Sequence, residues 1–165
     1  PCGWHGDRQH GCRCTESQIR RYWQRLSGPL LDRIDLQLRL ERPSAQQIRG
    51  ALSDQPAPEA AGHWICGGRI EAARTRMRQR NPKGCSNRQL SAGQLGDLGG
   101  FQPESLRLWE HIVEARSLST RSGLQLLRVA RTIADLDEMA TVPEEAVAQA
   151  SCFRCSDLLI PAGST

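Results

Sequence analysis

The sequence predicts a mostly α-helical fold with a small α/β remnant, in which one or two strands precede a helical bundle. Helix-capping patterns recur ahead of apolar residues at helical spacing, the first of them at residues 15–18. The strict alternation that is typical of a half-buried strand occurs over residues 35–41. The last third of the chain has the pattern of consecutive helices.

Residues 1–42 contain a loop, a helix and the candidate strand. The first 14 residues are rich in glycine, histidine and cysteine, which predicts a loop without regular structure. The capping box at Thr15 begins a short helix, which we expect to pack on the core and to end at Gly28. The strand follows and is closed by Pro43.

The ten residues 27–36 join that helix to the strand. Glycine followed by proline punctuates the backbone here. We expect Leu30, Leu31 and Ile34 to anchor the segment in a core and to leave Arg33 at its rim. A planar, permanently charged fork at the end of an anchored turn suits phosphate recognition. Because an aspartate stands on either side at short range, a structural ion pair is the more common alternative.

Residues 43–98 are predicted to be linking helices and loops. A second capping box at Ser44 begins a short helix, and residues 54–62 have a loop composition. A longer helix is expected from about Trp64 to Arg80, and the loop after it contains one short turn near residues 90–95. The residues expected to face inward on the longer helix are Ile65, Ile70, Ala73 and Met77.

Residues 99–151 are predicted to form a helical domain, followed by a tail over residues 152–165. Pro103 suits the first position of one helix, and Ser119 is the expected cap of the next, which runs to about Leu136. A capping box at Thr141 predicts a final helix to about residue 150. The cysteines at 152 and 155 are interpreted as incidental thiols.

Charge is unevenly distributed in this chain of net charge +4. Residues 65–88 hold seven cations against one acid, whereas residues 132–165 hold six acids against one arginine. The basic block therefore faces phosphates, an acidic neighbour or simply solvent. Aromatic residues make up only 4% of the chain, which disfavours long stacking platforms for single-stranded nucleic acid. No apolar run approaches the roughly 20 residues of a membrane span.

The N-terminal loop carries a candidate metal site. Cys2, Cys12 and Cys14 form a compact set of soft ligands, with His5 and His10 as spares. Thiolate and imidazole donors suit tetrahedral zinc. Three unrelated thiols are the alternative. The sequence has no secretory signal, so a metal site or free thiols are favoured over disulfides.

The sequence has no phosphate-cradling Gly-x4-Gly-Lys-Ser/Thr loop, no nucleophile elbow and no paired His-Glu-His site. We therefore do not expect the 165-residue chain to hydrolyse nucleotides by itself. It opens on Pro1 without an initiator methionine, as if it were part of a longer protein.

Three features together resemble the carboxy-terminal part of the magnesium-chelatase-like AAA+ ATPases, in particular the ComM (YifB) type. They are the cysteine-rich loop, the Ser-Gly-Pro-Leu-Leu-Asp-Arg-Ile-Asp-Leu segment at 27–36, and Leu-Arg-Val-Ala-Arg-Thr-Ile-Ala-Asp-Leu at 127–136. The resemblance implies that residues 1–42 end an AAA+ core and that 99–151 form its helical lid.

The resemblance also implies residue roles. Arg33 would be the arginine finger that reaches the γ-phosphate bound by a neighbouring subunit. Arg121 matches the sensor-2 arginine and would contact the nucleotide of its own subunit; the alternative is a surface arginine. Cys2, Cys12 and Cys14 match three of four cysteines of the family's loop, a possible structural zinc site, and the fourth would directly precede Pro1. Arg128 and Arg131 are expected in solvent or interface pairs.

The whole protein is then expected to be a cytoplasmic, ring-forming ATPase, a homo-hexamer that uses ATP with Mg²⁺ to process DNA. Helicase or branch-migration activity linked to natural transformation would be its role. In that setting the 65–88 helix would touch DNA or a neighbouring subunit. Two alternatives stay open: the motor subunit of a magnesium chelatase, and a zinc-bearing nucleic-acid module without an ATPase role.

Overall fold

A computed structural model describes residues 1–7, 10–38, 40, 42–52 and 67–154. The described residues are predominantly helical, which confirms the predicted fold class. Two 3-10 turns are formed by Pro82–Gly84 and Asn87–Gln89. The α-helices of this part of the chain are α1 (Glu16–Trp23), α2 (Gly28–Leu31), α3 (Ala45–Leu52), α4 (Gly67–Arg80), α5 (Ala92–Leu98), α6 (Pro103–Ala115), α7 (Thr120–Leu136) and α8 (Glu144–Cys152).

Helix α7 is the centre of the C-terminal bundle, α4–α8. Its apolar face packs against α6 and α8, and the core there contains Ala130, Ala134 and Val147, each fully buried. A second cluster on its other side contains Leu90, Leu95 and Leu127. An apolar stripe that is buried from two directions explains why the helix forms over its full predicted length.

Close helix approach fixes where α7 begins relative to α6. A Cβ at Gly123 would lie only 3.3 Å from Val113 Cγ2, so the absent side chain lets the two helices touch. The indole N–H of Trp109 donates to the carbonyl of Gly123 at 2.9 Å. The first turn of α7 is therefore held on α6, and Ser119 caps it as predicted.

Helix α1 ends earlier than the sequence predicted. It stops at Trp23, and none of its residues is buried, so it is not packed on the core. Gly28 does not terminate this helix; it starts α2, with Ser27 as the cap and proline in the first turn. Proline is compatible with the first turn of a helix because the N–H that it lacks has no helical partner there.

The strand predicted over residues 35–41 is not formed by its described members. The leucines at 36, 38 and 40 are 51%, 67% and 88% exposed. The N–H of Gln37 donates to the carbonyl of Phe153 at 2.8 Å. A strand is stable only with a partner strand, and the one β pairing among the described residues is the bridge between Phe101 and Val142.

The capping box predicted at Thr141 is also wrong, because α8 begins three residues later at Glu144. The Thr141 hydroxyl instead accepts from the side chain of Gln102, next to the bridge that buries Val142. The box at Ser44 is present. On α4, Ala73 faces inward as predicted, whereas Ile70 is 40% exposed.

Several sequence predictions fall outside the described residues: the loop over 54–62, the helix start at Trp64 with the inward residue Ile65, and the second cysteine of the 152–155 pair. Among the described helices, none has the length and apolar character needed to cross a membrane.

Candidate functional site

A cleft of about 400 Å³ lies between α2 and the turn that joins α6 to α7. It brings together the two arginines that the sequence singled out, which stand far apart in the chain. An open cleft with two guanidinium groups at its wall is suited to an anion. The residues that line it are Gly28, Pro29, Asp32, Arg33, Ser117, Ser119 and Arg121.

The side chain of Arg33 is exposed. Its Nη1 donates to the carbonyl of Pro29 at 2.8 Å, which closes the α2 turn on itself. Within the described residues it forms no ion pair with either of the flanking aspartates. Because a guanidinium has five N–H donors, most of the donor fork faces the cleft and solvent.

Asp32 is committed to α7 instead. Its Oδ2 accepts from the Ser119 hydroxyl at 2.6 Å, and its Oδ1 accepts from the Ser122 hydroxyl. These hydrogen bonds, from Ser119 and then Ser122, lower the pKa of the Asp32 carboxyl below its usual value. A lowered pKa means that the folded state favours the charged carboxylate. The stabilisation from these hydrogen bonds is therefore fully present at neutral pH and is lost only as the pH falls below about 3.8.

Asp35 makes the second contact with the same helix. Its Oδ1 accepts from Gln125 Nε2 at 2.5 Å, and its Oδ2 lies 3.8 Å from Arg88 Nε. Arg154, which is only 5% exposed, donates from Nη1 to the carbonyl of Ile34 at 3.3 Å. The segment is thus held by polar contacts. The prediction that Leu30, Leu31 and Ile34 anchor it in the core is wrong for Leu30 and Ile34, which are 45% and 39% exposed, whereas Leu31 is half-buried.

Arg121 lies in the first turn of α7, one residue before Ser122, and is exposed. No hydrogen bond or ion pair of its guanidinium is present among the residues that the structure describes. Cations near a helix N-terminus are slightly unfavourable against the helix dipole. A bound anion in the cleft would remove that penalty.

The three cysteines of the N-terminal loop come together. The sulfur atoms of Cys2, Cys12 and Cys14 all lie within 4.8 Å of one another, and Cys2 Sγ is 3.6 Å from Cys12 Sγ. Two sulfurs bound to one tetrahedral zinc ion at about 2.3 Å lie roughly 3.8 Å apart, so the cluster has the dimensions of a zinc site. Backbone N–H groups of Trp4 and Arg13 lower the pKa of the Cys2 thiol to about 6, which favours the thiolate that binds metal.

The histidines proposed as spare ligands lie outside this cluster in the described part of the chain. His10 stacks on Trp4 with ring centroids 4.3 Å apart, and its Nδ1 lies 3.5 Å from Asp7 Oδ1. The donor set is therefore three cysteine sulfurs, and a fourth ligand would come from outside the cluster.

The basic block faces an acidic neighbour within the chain itself. On α4, Arg69 pairs with Asp137 at 3.0 Å and Arg76 with Glu138 at 3.3 Å. Two further arginines of the helix, at 78 and 80, are also ion-paired. Four of the five arginines of α4 therefore have an acidic partner within the chain, which makes the helix less suited to phosphate contacts than its sequence suggests.

Arg131 does not lie in solvent or at an interface, as the sequence had suggested. It is fully buried and donates to Asp135 Oδ1 at 3.1 Å, to the carbonyl of Met139 at 2.6 Å and to the carbonyl of Gly99 at 3.0 Å. Its neighbour Arg128 donates to the carbonyl of Leu90. Both residues of the 127–136 motif thus stabilise the bundle.

The sequence reasoning missed three residues of the site. Ser119 and Ser122 donate hydrogen bonds to Asp32, and Arg154 donates to the carbonyl of Ile34. Serine had been considered only as a helix cap. A usable signal was present, however: aspartates three residues apart match polar residues at 119, 122 and 125, which share one helix face.

Comparison with known proteins identifies the family. Residues 66–154 match the family described as magnesium chelatase, subunit ChlI C-terminal, and residues 1–48 match magnesium chelatase, subunit ChlI. The chain belongs to this magnesium-chelatase-like family, and the resemblance seen in the sequence is confirmed.

Curated relatives agree with this assignment. The chain is 34% identical over 148 residues to the uncharacterized protein YifB of Escherichia coli (strain K12), which covers 90% of the chain and 28% of that protein. It is 33% identical over 148 residues to YifB of Salmonella typhimurium, with the same coverage. It is 32% identical over 147 residues to the uncharacterized protein Rv2897c of Mycobacterium tuberculosis, covering 87% of the chain and 27% of that protein. The chain thus spans little more than a quarter of these relatives.

Proposed function

We propose that this chain is the C-terminal portion of a ring-forming ATPase in which Arg33 is the arginine finger. The observation that carries the proposal is the exposed guanidinium of Arg33 at an open cleft, with both neighbouring aspartates bound to α7. An arginine that forms no ion pair within its own subunit is available to bind a phosphate held by a second subunit.

The chemistry required of Arg33 is electrostatic. In ATP hydrolysis a water oxygen attacks the γ-phosphorus, the bond to the β–γ bridging oxygen breaks, and ADP and phosphate leave. Negative charge builds on the transferred group, and ATP brings Mg²⁺ that neutralises part of it. A guanidinium fixed at the right place supplies further neutralisation without reorganisation.

Arg121 is proposed to serve the same phosphate tail. It lines the same cleft as Arg33, so an anion seated there would meet both guanidinium groups. The family resemblance implies two different nucleotides for the two arginines; the proposal of one shared phosphate tail is supported by their position in the lining of one cleft of about 400 Å³. Arg121→Ala is expected to weaken ATP binding and turnover, measured by nucleotide titration and by phosphate release.

The work driven by ATP is proposed to be DNA processing by a homo-hexameric ring in the cytoplasm, of the helicase or branch-migration kind linked to natural transformation. Because the arginines of α4 are largely paired within the chain, we expect the DNA-contacting surface to lie elsewhere on the protein. ATP turnover of the intact protein, measured with and without DNA, tests this. Stimulation by DNA is expected, with an affinity that falls steeply with salt because phosphate contacts release counterions.

A magnesium-chelatase motor is the second candidate, favoured by the description of the matched family. It predicts ATP turnover that DNA leaves unchanged and that a chelatase partner subunit raises. If the intact protein neither hydrolyses ATP nor forms a ring, the remaining candidate is a zinc-bearing nucleic-acid module without an ATPase role.

The cysteine cluster is proposed to hold one structural zinc ion. We expect the protein to contain about one zinc per chain and the Cys12→Ser variant to lose most of it, because removal of one thiolate leaves two. Metal content by mass spectrometry after dialysis checks this. Cys152→Ser, at an exposed thiol far along the chain, is the matched control. Equal zinc in the Cys12→Ser and wild-type proteins would contradict the site.

A further inference from the structure

Two acceptors in the segment before the bundle match a row of donors on α7. Asp32 and Asp35 are three residues apart, and so are Ser119, Ser122 and Gln125 along one helix face. The first aspartate accepts from both serines and the second from the glutamine. We call this set of contacts the aspartate latch.

Phe153 and Arg154, at the end of α8, make further hydrogen bonds to the latch and its neighbouring residues. Arg154 Nη1 donates to the carbonyl of Ile34, and its Nη2 reaches the carbonyl of Ser122 at 3.5 Å. The Gln37 N–H donates to the Phe153 carbonyl at 2.8 Å. Residues 32–37 are therefore bound to the start of α7 and to the end of α8 together.

The latch connects the two arginines of the cleft. Arg33 follows Asp32 directly, and Arg121 lies between the two serines that Asp32 binds. Movement of the first turn of α7 therefore displaces Asp32 and with it the backbone of Arg33. The two arginines are thus connected through the Asp32 carboxylate and the first turn of α7.

We propose that Asp32 is a positioning residue for Arg33, because it ties Arg33 to the helix turn that carries Arg121. The inference rests on the proposed function and deepens it: occupancy of the cleft at Arg121 sets the position of Arg33. Asp32 lines the cleft as well, but both of its carboxylate oxygens are engaged by the two serines.

Ser119 offers a substitution that separates this role from helix stability. Its hydroxyl caps α7 by accepting from the Ser122 N–H, and it also donates to Asp32. Aspartate caps a helix as well as serine does but has no proton to donate and repels a second carboxylate. Ser119→Asp therefore keeps the cap and breaks the latch.

The test measures steady-state ATP turnover of the intact protein in three variants. Asp32→Asn is expected to lower kcat at least tenfold and to change ATP affinity less than threefold, because a misplaced Arg33 acts on the transition state. Ser119→Asp is expected to lower kcat to the same extent and also to weaken ATP binding, because Ser119 lines the cleft and its new carboxylate repels a phosphate there. Ser119→Thr, which keeps both the cap and the donor, is expected to recover most of the turnover. Ser91→Asp is the matched control, since Ser91 caps α5 through Gln94 and lines no part of the cleft.

Hydrogen exchange supplies a readout that is independent of activity. Ser119→Asp is expected to speed amide exchange in residues 30–36 and to leave that of the α7 interior unchanged. Unchanged exchange in residues 30–36, or wild-type kcat in both Ser119→Asp and Asp32→Asn, would overturn the latch. Wild-type turnover in Arg33→Ala would instead overturn the proposed function, on which the latch depends.

Discussion

Arg33→Ala in the intact protein is expected to lower ATP turnover by roughly 10³- to 10⁵-fold, the range that a trans-acting arginine supplies in phosphoryl transfer. The affinity for ATP should change little, because the guanidinium acts on charge that develops only as the γ-phosphoryl group leaves. Phosphate release under saturating ATP measures the first quantity, and equilibrium nucleotide titration measures the second.

Two further variants make this result specific. Arg33→Lys keeps the charge but not the planar fork, so we expect it to recover only a small part of the turnover. Arg107→Ala is the matched control, because Arg107 is a 72% exposed arginine of the bundle whose partner is Glu104. Turnover of Arg33→Ala within threefold of wild type would remove the finger assignment.

Asp135→Asn is expected to cost about 3–5 kcal/mol in the free energy of unfolding, the usual cost of leaving a buried charge unpaired. The Asp135 carboxylate is fully buried and accepts from Arg80 at 2.5 and 2.9 Å, from Asn87 at 2.8 Å and from Arg131 at 3.1 Å. Asparagine would remove the charge that compensates the fully buried Arg131 and would turn an amide toward these donors.

Urea unfolding of the variant and the wild type at neutral pH measures this loss. Glu71→Ala is the control, since Glu71 forms an exposed pair with Arg78 and its removal should cost at most about 1 kcal/mol. A loss for Asp135→Asn no larger than that of Glu71→Ala would show that the buried network contributes little.

The same variant has a defined pH dependence. Burial alone would raise the pKa of the Asp135 carboxyl, but hydrogen bonds from Arg80 and Asn87 and the charge of Arg131 lower it below 3.8. The stabilisation is therefore complete well above pH 3.8 and is lost as the pH falls through the lower native value. The stability difference between wild type and Asp135→Asn should shrink below about pH 3.8.

Local signals in the sequence were sufficient for most helices. The capping serine at 119 and the apolar stripe after it predicted α7 to its last residue. Proline at 103 likewise placed the start of α6. Such signals act within one helical turn, so they can be seen without knowledge of the tertiary structure.

The errors concern features that depend on distant partners. Residues 35–41 alternate as a strand does, yet a strand also needs a neighbour, and the described residues offer none beside it. The Thr141 box has a suitable sequence, but the bridge at Val142 delays the helix start. The sequence pattern carried no information on either partner.

In the candidate site, too, some features follow from the local sequence and others depend on distant partners. The type and position of Arg33 could be seen in the sequence, and so could the choice between a finger and a local ion pair. The proposal favours the finger because Asp32 and Asp35 pair with α7, about ninety residues away, and not with Arg33. Contacts at this separation follow from the fold. The matching three-residue spacing of the aspartates and of the polar residues at 119, 122 and 125 shows that they can pair, but not that the fold brings them together.

The central claim, that Arg33 acts outside its own subunit, is tested most directly by mixing two inactive forms of the intact protein. One form carries Arg33→Ala, and the other keeps Arg33 but cannot bind ATP. In a ring of head-to-tail interfaces, random mixing in equal amounts gives about a quarter of interfaces an intact ATP site facing an intact Arg33. We predict that ATP turnover reappears on mixing; a mixture as inactive as its components would contradict the account.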